Sequence, residues 1–481
     1  MRLDSHQALA VKRLFEGTNV ALVGPAGCGK SVVLRCVVVE GARRFGAEGV
    51  LVLAWAGSAA QLVQGRTVAS LLKTTVGDPS KESILRRVEG DEGLLAEIQR
   101  VRLVVIDEAP TLQGRWMDRL EFVLRRTAPS LSAQCLPFGG RAVLGAFLFF
   151  PILCCVPSQV TVLSNCRPDV RRLADSCTSI PCLWLLVRMC LTGTAAGDPL
   201  QLPAFGVTRN SVEVCAYETR SWYDAFESAY GETVQLRGQH RQDPNDVLYA
   251  ILMRIRVNAV TDADIAMLNS TWSSHGDTHD DHQHLRAVNA DVNKVNDERL
   301  AALPGPGTTF VAVDTISVEH PRRREYAAQK LQTLAREVLE VKVDSQVVLT
   351  RAVGDVKTGA RGTVVSISPG VSVSCRFLGV EDVVVVDPVE FELKDASEEI
   401  LGKRVQLPLL LAWALTITRS QGMTLDRVAV DFSNPWCLDG MVYTALSRAP
   451  SFAALRVRGL RRFQIRTSSK GMDYYARLSQ E

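Results

Sequence analysis

Charge of either sign is nearly balanced in this chain: 55 Lys and Arg against 52 Asp and Glu leave a formal net charge of +3 over 481 residues. A global positive excess, the usual footprint of a polyanion-binding protein, is therefore lacking, and any basic surface must be local. Long apolar runs are lacking too. The one membrane-like stretch, Ala142–Val156, has Phe147, Phe149 and Phe150 at its centre and contains Pro151. At about 15 residues it falls short of the ~20 that a spanning helix needs. The N-terminus, Met1-Arg-Leu-Asp-Ser-His-Gln7, has no apolar signal core and no Arg/Ser-rich amphipathic presequence, so no targeting signal is visible. The 12 cysteines show no regular short spacing. That pattern suits reduced thiols in an intracellular protein better than a secreted disulfide framework. No internal repeat is found. His275, His279, His282 and His284 crowd one stretch, but their Asp and Gly neighbours and irregular spacing read as a solvated loop, not a metal site.

What is present is a globular composition, 47% hydrophobic and 22% charged, long enough for about three domains. Residues 24–31 read Gly-Pro-Ala-Gly-Cys-Gly-Lys-Ser, a complete phosphate-binding loop. The glycines let the backbone curl so that its N–H groups face phosphate oxygens, Lys30 supplies a point charge, and Ser31 offers a hydroxyl to Mg²⁺. A disulfide at Cys28 would obstruct such a site. Asn19–Gly24 reads as a buried strand entering the loop, and the run from Ser31 as an apolar helix leaving it.

Residues 1–125 alternate strand-like and helix-like runs, with Val50–Trp55 and Val101–Ile106 as buried parallel strands. The second of these runs into Asp107-Glu108. An acidic pair at that position suits a nucleotidase, with Asp107 toward Mg²⁺ and Glu108 toward the attacking water. Residues 341–393 are Val-rich, alternating and Gly-punctuated, as in a small antiparallel unit, and 405–465 return to strand and helix alternation. Phosphoryl transfer also uses positioned positive charge. Arg241, in Gln239-His-Arg-Gln, and Arg448, in Val442-Tyr-Thr-Ala-Leu-Ser-Arg, are the candidates.

At this point the chain resembles the petite-integration-frequency family of 5′-to-3′ DNA helicases, in the RecD-like branch of superfamily 1. The resemblance runs from about residue 3 to 460. Leu3–Gly17 with Gln7 is similar to the glutamine motif that reads adenine. The phosphate loop (Gly24, Pro25, Ala26, Gly27, Cys28, Gly29, Lys30, Ser31) and Ile106-Asp107-Glu108-Ala109 are the first two helicase motifs. Pro137-Phe-Gly-Gly140 is a family tetrapeptide. Gly197-Asp-Pro-Leu-Gln201 is the third motif, whose Gln201 would sense the γ-phosphate. The fourth to sixth are Gln239–Gln242 with Ile251–Arg256, Leu407–Ala414 with Thr418–Asp426, and Val442–Arg448.

The resemblance implies an α/β fold: two RecA-like phosphate-loop motor domains, parallel sheets flanked by helices, and a small inserted SH3-type β-barrel. The first motor domain would span 1–225, the second 226–310 and 394–481, and the accessory domain 311–393. ATP and Mg²⁺ are implied, with Gln421 near the nucleotide. Arg241 and Arg448 would come from the second domain, Arg448 as the arginine finger. Single-stranded DNA and duplex junctions are the implied partners, contacted by Ser58, Thr67, Ser70, Thr418, Arg419 and Ser420. Arg322, Arg323 and Arg324 either touch phosphates or form a solvated charge run. A monomer acting in nucleus or mitochondrion, without a membrane, is expected. DNA repair, recombination, replication and telomere maintenance are the implied processes.

Three substitutions depart from the family pattern. Ala69 replaces His, Thr418-Arg419-Ser420 replaces His-Lys-Ser, and Ala109–Leu112 replaces Ile-Ser-Met. A larger departure separates Gly140 from Gly197. Residues 141–196 hold six cysteines, little periodicity, and interrupt a central strand. They read either as a surface insertion or as non-coding sequence translated in frame, and the second is favoured. Leu183–Gly193 is the candidate for the interrupted strand. The alternatives to a DNA helicase are a catalytically impaired nucleic-acid-binding relic, disabled beside Gln201, an RNA-directed helicase, and a translocase that strips proteins from DNA.

Overall fold

A computed structural model describes residues 3–55, 65–74, 79–140, 142–143, 194–202, 214–273, 282–354, 356, 359–394, 400–421 and 423–479. Ser58 and most of the expected insertion lie outside them. The chain divides into two compact units. The first gathers described residues from 1–72, 80–241 and 467–481, and the second from 73–79 and 242–466.

The first unit is built on strands β1 (Asn19–Val23), β2 (Val50–Ala54), β3 (Arg66–Thr67), β4 (Leu103–Asp107), β5 (Ala142–Val143), β6 (Thr194–Gly197) and β7 (Gly231–Gln235). Their order is β3-β2-β4-β6-β1-β7, with β5 also on β4, and every pairing is parallel. Parallel sheets are covered on both faces, so central strands read as unbroken apolar runs. β1 and β4 are buried at every position. Helix α1 (Ser5–Phe15) and helix α2 (Lys30–Phe45) cover one face through Ala10, Leu14, Val33, Leu34 and Val37. Ile84, Val88, Trp116, Leu120 and Leu124 cover the other.

Two expectations are corrected here. The boundary expected after residue 225 falls at 241, because β7 pairs with β1 from Asn19↔Gly231 to Val23↔Gln235. The C-terminal helix Ser469–Leu478, expected in the second domain, belongs to the first unit. Tyr474 is 1% exposed and packs against Tyr217 and Trp222 at ring-centroid distances of 5.1 and 6.4 Å. Burying an aromatic side chain of this size stabilises by on the order of 3 kcal/mol. Leu183–Gly193, the candidate for the interrupted strand, lies outside the described residues; the described strand there is β6, Thr194–Gly197.

The second unit has a four-stranded parallel sheet, β19-β8-β20-β21, from β8 (Gln283–Arg286), β19 (Ala414–Thr416), β20 (Val428–Asp431) and β21 (Leu455–Arg458). Between β8 and β19 the chain builds three antiparallel sheets. The largest runs β15-β14-β13-β12-β18, from β12 (Gln346–Leu349), β13 (Arg361–Ser368), β14 (Ser372–Phe377), β15 (Val383–Val386) and β18 (Leu409–Leu411). Val347, Val364, Val373, Cys375, Phe377 and Val386 form its core. The alternation that marks 341–393 is thus the signature of a half-buried antiparallel sheet. The others are β10-β17-β16 (Val313–Ile316, Ile400–Gln406, Val389–Lys394) and β11-β9 (Val338–Val341, Thr308–Val311). Arg404, 1% exposed, is held there by both carboxylate oxygens of Asp314 at 2.6 Å. Among the described residues, no helix is long and apolar enough to cross a membrane.

Candidate nucleotide-binding site

Strand β1, the loop 24–29 and α2 follow one another as the sequence predicts. Gly27 and Gly29 have φ of +83° and +82°, a backbone that side chains disfavour. Space enforces glycine a second time. A Cβ on Gly27 would lie 2.3 Å from Gln239 Oε1, and one on Gly29 would lie 2.2 Å from Gln7 Nε2. The Lys30 ammonium folds back over the loop and donates to the carbonyls of Gly24 (2.7 Å) and Pro25 (2.9 Å). Ser31, the second residue of α2, is half-buried. Cys28 is fully buried and unbridged.

Asp107 ends β4 and accepts the Glu108 N–H at 2.9 Å. Burial, then the neighbouring Glu108 charge, push its carboxyl up to about 7, while Lys30 and Arg35 pull the other way. Glu108 takes a left-handed backbone, φ 53° and ψ 36°, and its carbonyl accepts from Thr111 Oγ1 at 2.7 Å. A non-glycine residue held there by its surroundings is the kind of strain found at functional sites. The hydroxyl and carboxylate oxygens of Ser31 and Asp107 are the hard donors that Mg²⁺ takes, and positive charge beside Asp107 would offset what raises it.

The N-terminal residues reach this loop through α1. Asp4 caps the helix by accepting Gln7 N–H at 2.8 Å, and Gln7 Oε1 returns the bond to Asp4 N–H at 3.1 Å. Gln7, 2% exposed, also donates from Nε2 to the Cys28 carbonyl at 3.3 Å. The same nitrogen lies 3.0 Å from His240 Nε2, which is 2.9 Å from Asp4 Oδ2. Gln7 is thus tied to the loop as well as to its own helix.

After β7 the chain lies on the phosphate loop. Gln239 Nε2 donates to the Ala26 carbonyl (3.2 Å), and His240 N–H to that of Gly27 (2.9 Å). Arg241 Cβ lies 2.8 Å from where a Cβ on Gly27 would stand. Arg241, expected from the second domain, therefore belongs to the first unit, because β7 delivers it there. The third motif is anchored in the same unit. Gln201 is 3% exposed, with its N–H donating to the Asp198 carbonyl at 3.0 Å, while Asp198 Oδ1 accepts from Tyr475 Oη at 3.1 Å.

In the second unit Arg448 is 1% exposed. Its guanidinium donates to the carbonyls of Thr444 (2.8 Å) and Met423 (3.1 Å) and to Ser447 Oγ (2.8 Å). Gln242 Nε2 donates to the carbonyls of Ser447 (3.2 Å) and Ala449 (2.6 Å), on either side of it. Gln421 is buried. Thr418 and Arg419 are exposed beside it, whereas Ser420 is fully buried and donates to the Ile417 carbonyl at 2.8 Å. In the first unit Thr67 caps the short helix Val68–Leu71 by accepting Ser70 N–H at 3.1 Å. Asp4 was not singled out from sequence, and Gln239, His240 and Gln242 entered only as part of the fourth motif. Each works through contacts that only folding brings together.

A parallel α/β sheet whose first strand feeds a glycine loop, with a lysine folded into that loop and a buried acid ending a neighbouring strand, defines a phosphate-loop nucleotide-binding fold. The profile of the PIF1-like helicase family matches residues 6–163. It is 28% identical to the ATP-dependent DNA helicase Pif1 of Bdellovibrio bacteriovorus over 99% of this chain and 92% of that one. It is 26% identical to the ATP-dependent DNA helicase PIF1 of Danio rerio over 100% of this chain, and spans 64% of that protein's length. Among solved structures, Pif1 helicase from Candida albicans superposes with a TM-score of 0.79 at 23% identity, covering 100% of this chain and 99% of that one. Bacteroides Pif1 in complex with ADP-AlF3 and ssDNA superposes at 0.70 with 18% identity, covering 100% and 98%. At these identities the structural likeness is one of fold.

Proposed function

We propose that this chain is an ATP-dependent helicase that moves 5′ to 3′ on single-stranded DNA and unwinds duplexes. The observation that carries the reading is the placement of Lys30 within the loop and within electrostatic reach of buried Asp107, beside half-buried Glu108, in a chain whose residues 6–163 match the PIF1-like helicase family. Lys30 would hold the β- and γ-phosphates, and Glu108 would orient and polarise the attacking water. Ser31 and Asp107 would hold Mg²⁺, which supplies charge neutralisation at the phosphates when bound. Gln201 would respond to the γ-phosphate, and Gln7 would face the adenine side of the loop. Arg448 would serve as the finger. The two parallel sheets are read as RecA-like motors and the five-stranded antiparallel sheet as an SH3-type module. Thr418 and Arg419 are the favoured strand contacts in the second unit. Action as a monomer at single strands and duplex junctions, in nucleus or mitochondrion, completes the proposal.

The test is strand separation by the purified protein on a 5′-tailed duplex with ATP and Mg²⁺. Lys30→Ala should reduce unwinding and DNA-stimulated ATP hydrolysis to background. Unwinding that persists in this variant would refute the mechanism. A protein that binds DNA without DNA-stimulated hydrolysis would favour the impaired relic.

A further inference from the structure

Two large aromatic side chains stand in solvent on neighbouring segments of the second unit. Trp436 is 48% exposed and Phe463 is 56% exposed. Trp436 lies in the loop after β20, and Phe463 in the short 3-10 turn Arg462–Gln464 after β21. The two segments are pinned together. Gln464, 1% exposed, donates from Nε2 to the carbonyls of Phe432 and Asn434, both at 2.9 Å. Gly440 N–H donates to the Arg466 carbonyl at 2.8 Å. Trp436 is held further by its own N–H, which donates to Asn434 Oδ1 at 3.0 Å. A buried glutamine thus fixes a scaffold that leaves both rings outside the core. Exposed rings on one pinned scaffold offer a surface that a partner could use.

The partner's chemistry follows from the charge around the rings. Around Phe463, from Gly440 to Met472, the sequence holds no Asp or Glu, while Arg461, Arg462 and Arg466 are all exposed; on the Trp436 side Asp439 pairs with Arg466 and Asp291 accepts from Asn434. The Arg461 guanidinium lies 6.0 Å from the Phe463 ring centroid. Arg466 meets Asp439 at 3.0 Å but keeps its side chain 58% exposed, and Arg462 donates to the Val260 carbonyl. Flat aromatic faces interleaved with guanidinium groups suit a strand whose bases are unstacked and whose backbone is anionic. A protein partner would use the rings without needing the surrounding positive charge.

We propose that Trp436 and Phe463, with Arg461 and Arg466, form a surface that stacks unpaired bases of a nucleic-acid strand, separate from the motif residues Thr418 and Arg419. The proposal rests on the helicase reading only in expecting such a strand near this unit. Binding is read without ATP, so the two can fail independently.

The experiment measures fluorescence anisotropy of a labelled oligodeoxythymidylate and of an abasic strand of the same length and charge. The parent protein should prefer the base-bearing strand. Trp436→Ala with Phe463→Ala should weaken that strand about tenfold or more and leave the abasic strand unchanged, as loss of stacking requires. Trp436→Phe should retain most of the preference, which guards against misfolding as the cause. Arg461→Gln with Arg466→Gln should weaken both strands and lower the salt dependence. A double alanine variant that binds both strands as the parent does, or weakens both equally, overturns the proposal. A parent that binds the strand but shows no DNA-stimulated ATP hydrolysis overturns the motor reading and leaves this surface standing.

Discussion

Val143 and Thr194 occupy consecutive positions against one strand: Val143 lies opposite Val104, and Thr194 lies opposite Val105. Strands β5 and β6 therefore complete a single ladder on β4, in the register that one continuous strand would have. A strand advances about 3.3 Å per residue, so a peptide bond can join those two positions directly. Joining Val143 to Thr194 should give a chain with the same sheet. Removing the about 50 intervening residues should raise stability by on the order of 3 kcal/mol, the closure entropy of a connection of that length. Urea denaturation of the joined and parent chains checks this. A joined chain that fails to fold would show that residues 144–193 are needed.

Asp4 both caps α1 and meets His240. The two roles separate by substitution. Asp4→Ala should cost about 1 kcal/mol through loss of the cap. Asp4→Ser keeps a capping oxygen and removes the carboxylate partner of His240, so stability should hold while ATP affinity falls. His240→Phe should reproduce that affinity loss. Titration with a fluorescent ATP analogue decides it, and an Asp4→Ser protein that binds as the parent does would mean the pair is structural.

Glu108 combines the proposed catalytic role with a backbone cost. Glu108→Gln should keep ATP binding and lose hydrolysis. At φ 53° glycine is tolerated and alanine is not, so Glu108→Gly should be roughly 1 kcal/mol more stable than Glu108→Ala, with both inactive. Thermal denaturation of the two variants side by side gives the answer. Equal midpoints would remove the strain argument.

Tyr474 ties the C-terminal helix to the first unit. Tyr474→Ala should cost roughly 3–5 kcal/mol, the range for emptying an aromatic site. Hydrogen exchange should show the loss in β1, β7 and the Trp222 region, not in the parallel sheet β19-β8-β20-β21. Loss confined to that sheet would contradict the unit assignment.

Asp431 predicts an acid response of the second unit. Burial alone would raise its carboxyl, but hydrogen bonds from Arg458 and Ser433 more than reverse this and hold it at about 2. The folded value is thus below the unfolded value of about 3.9. Its contribution, on the order of 2 kcal/mol, is complete above the unfolded value and is lost as pH falls from there toward 2. Asp431→Asn should therefore be less stable than the parent at pH 6, with the gap closing as pH falls. A gap that stays constant across that range would rule the linkage out.

The parts of the site that were legible share one property: each is carried by a contiguous run. Asn19–Val23, the glycine loop and Leu103–Asp107 are read in order because buried parallel strands are continuously apolar and the loop's demands fall on adjacent residues. β7 was not legible as part of the same sheet. It is an edge strand of sequence Gly-Glu-Thr-Val-Gln with one buried position, so its polarity hides its pairing. That is why the expected boundary fell too early and Arg241 was placed with the wrong unit. The C-terminal helix, Ser469–Leu478, misled in the same way, since its place depends on Tyr474 reaching an aromatic cluster more than two hundred residues earlier.

The sequence by itself determined the glycine loop, its following helix, the acidic pair and the order of the motifs. These are local patterns, and spacing along the chain is enough to specify them. Only the tertiary structure decided which unit owns Arg241, that Gln7 and His240 bind the loop from opposite ends of the first unit's chain, and that Val143 and Thr194 continue one strand. Those outcomes depend on pairing and packing between distant residues, where loop closure and burial, not local propensity, select the partner.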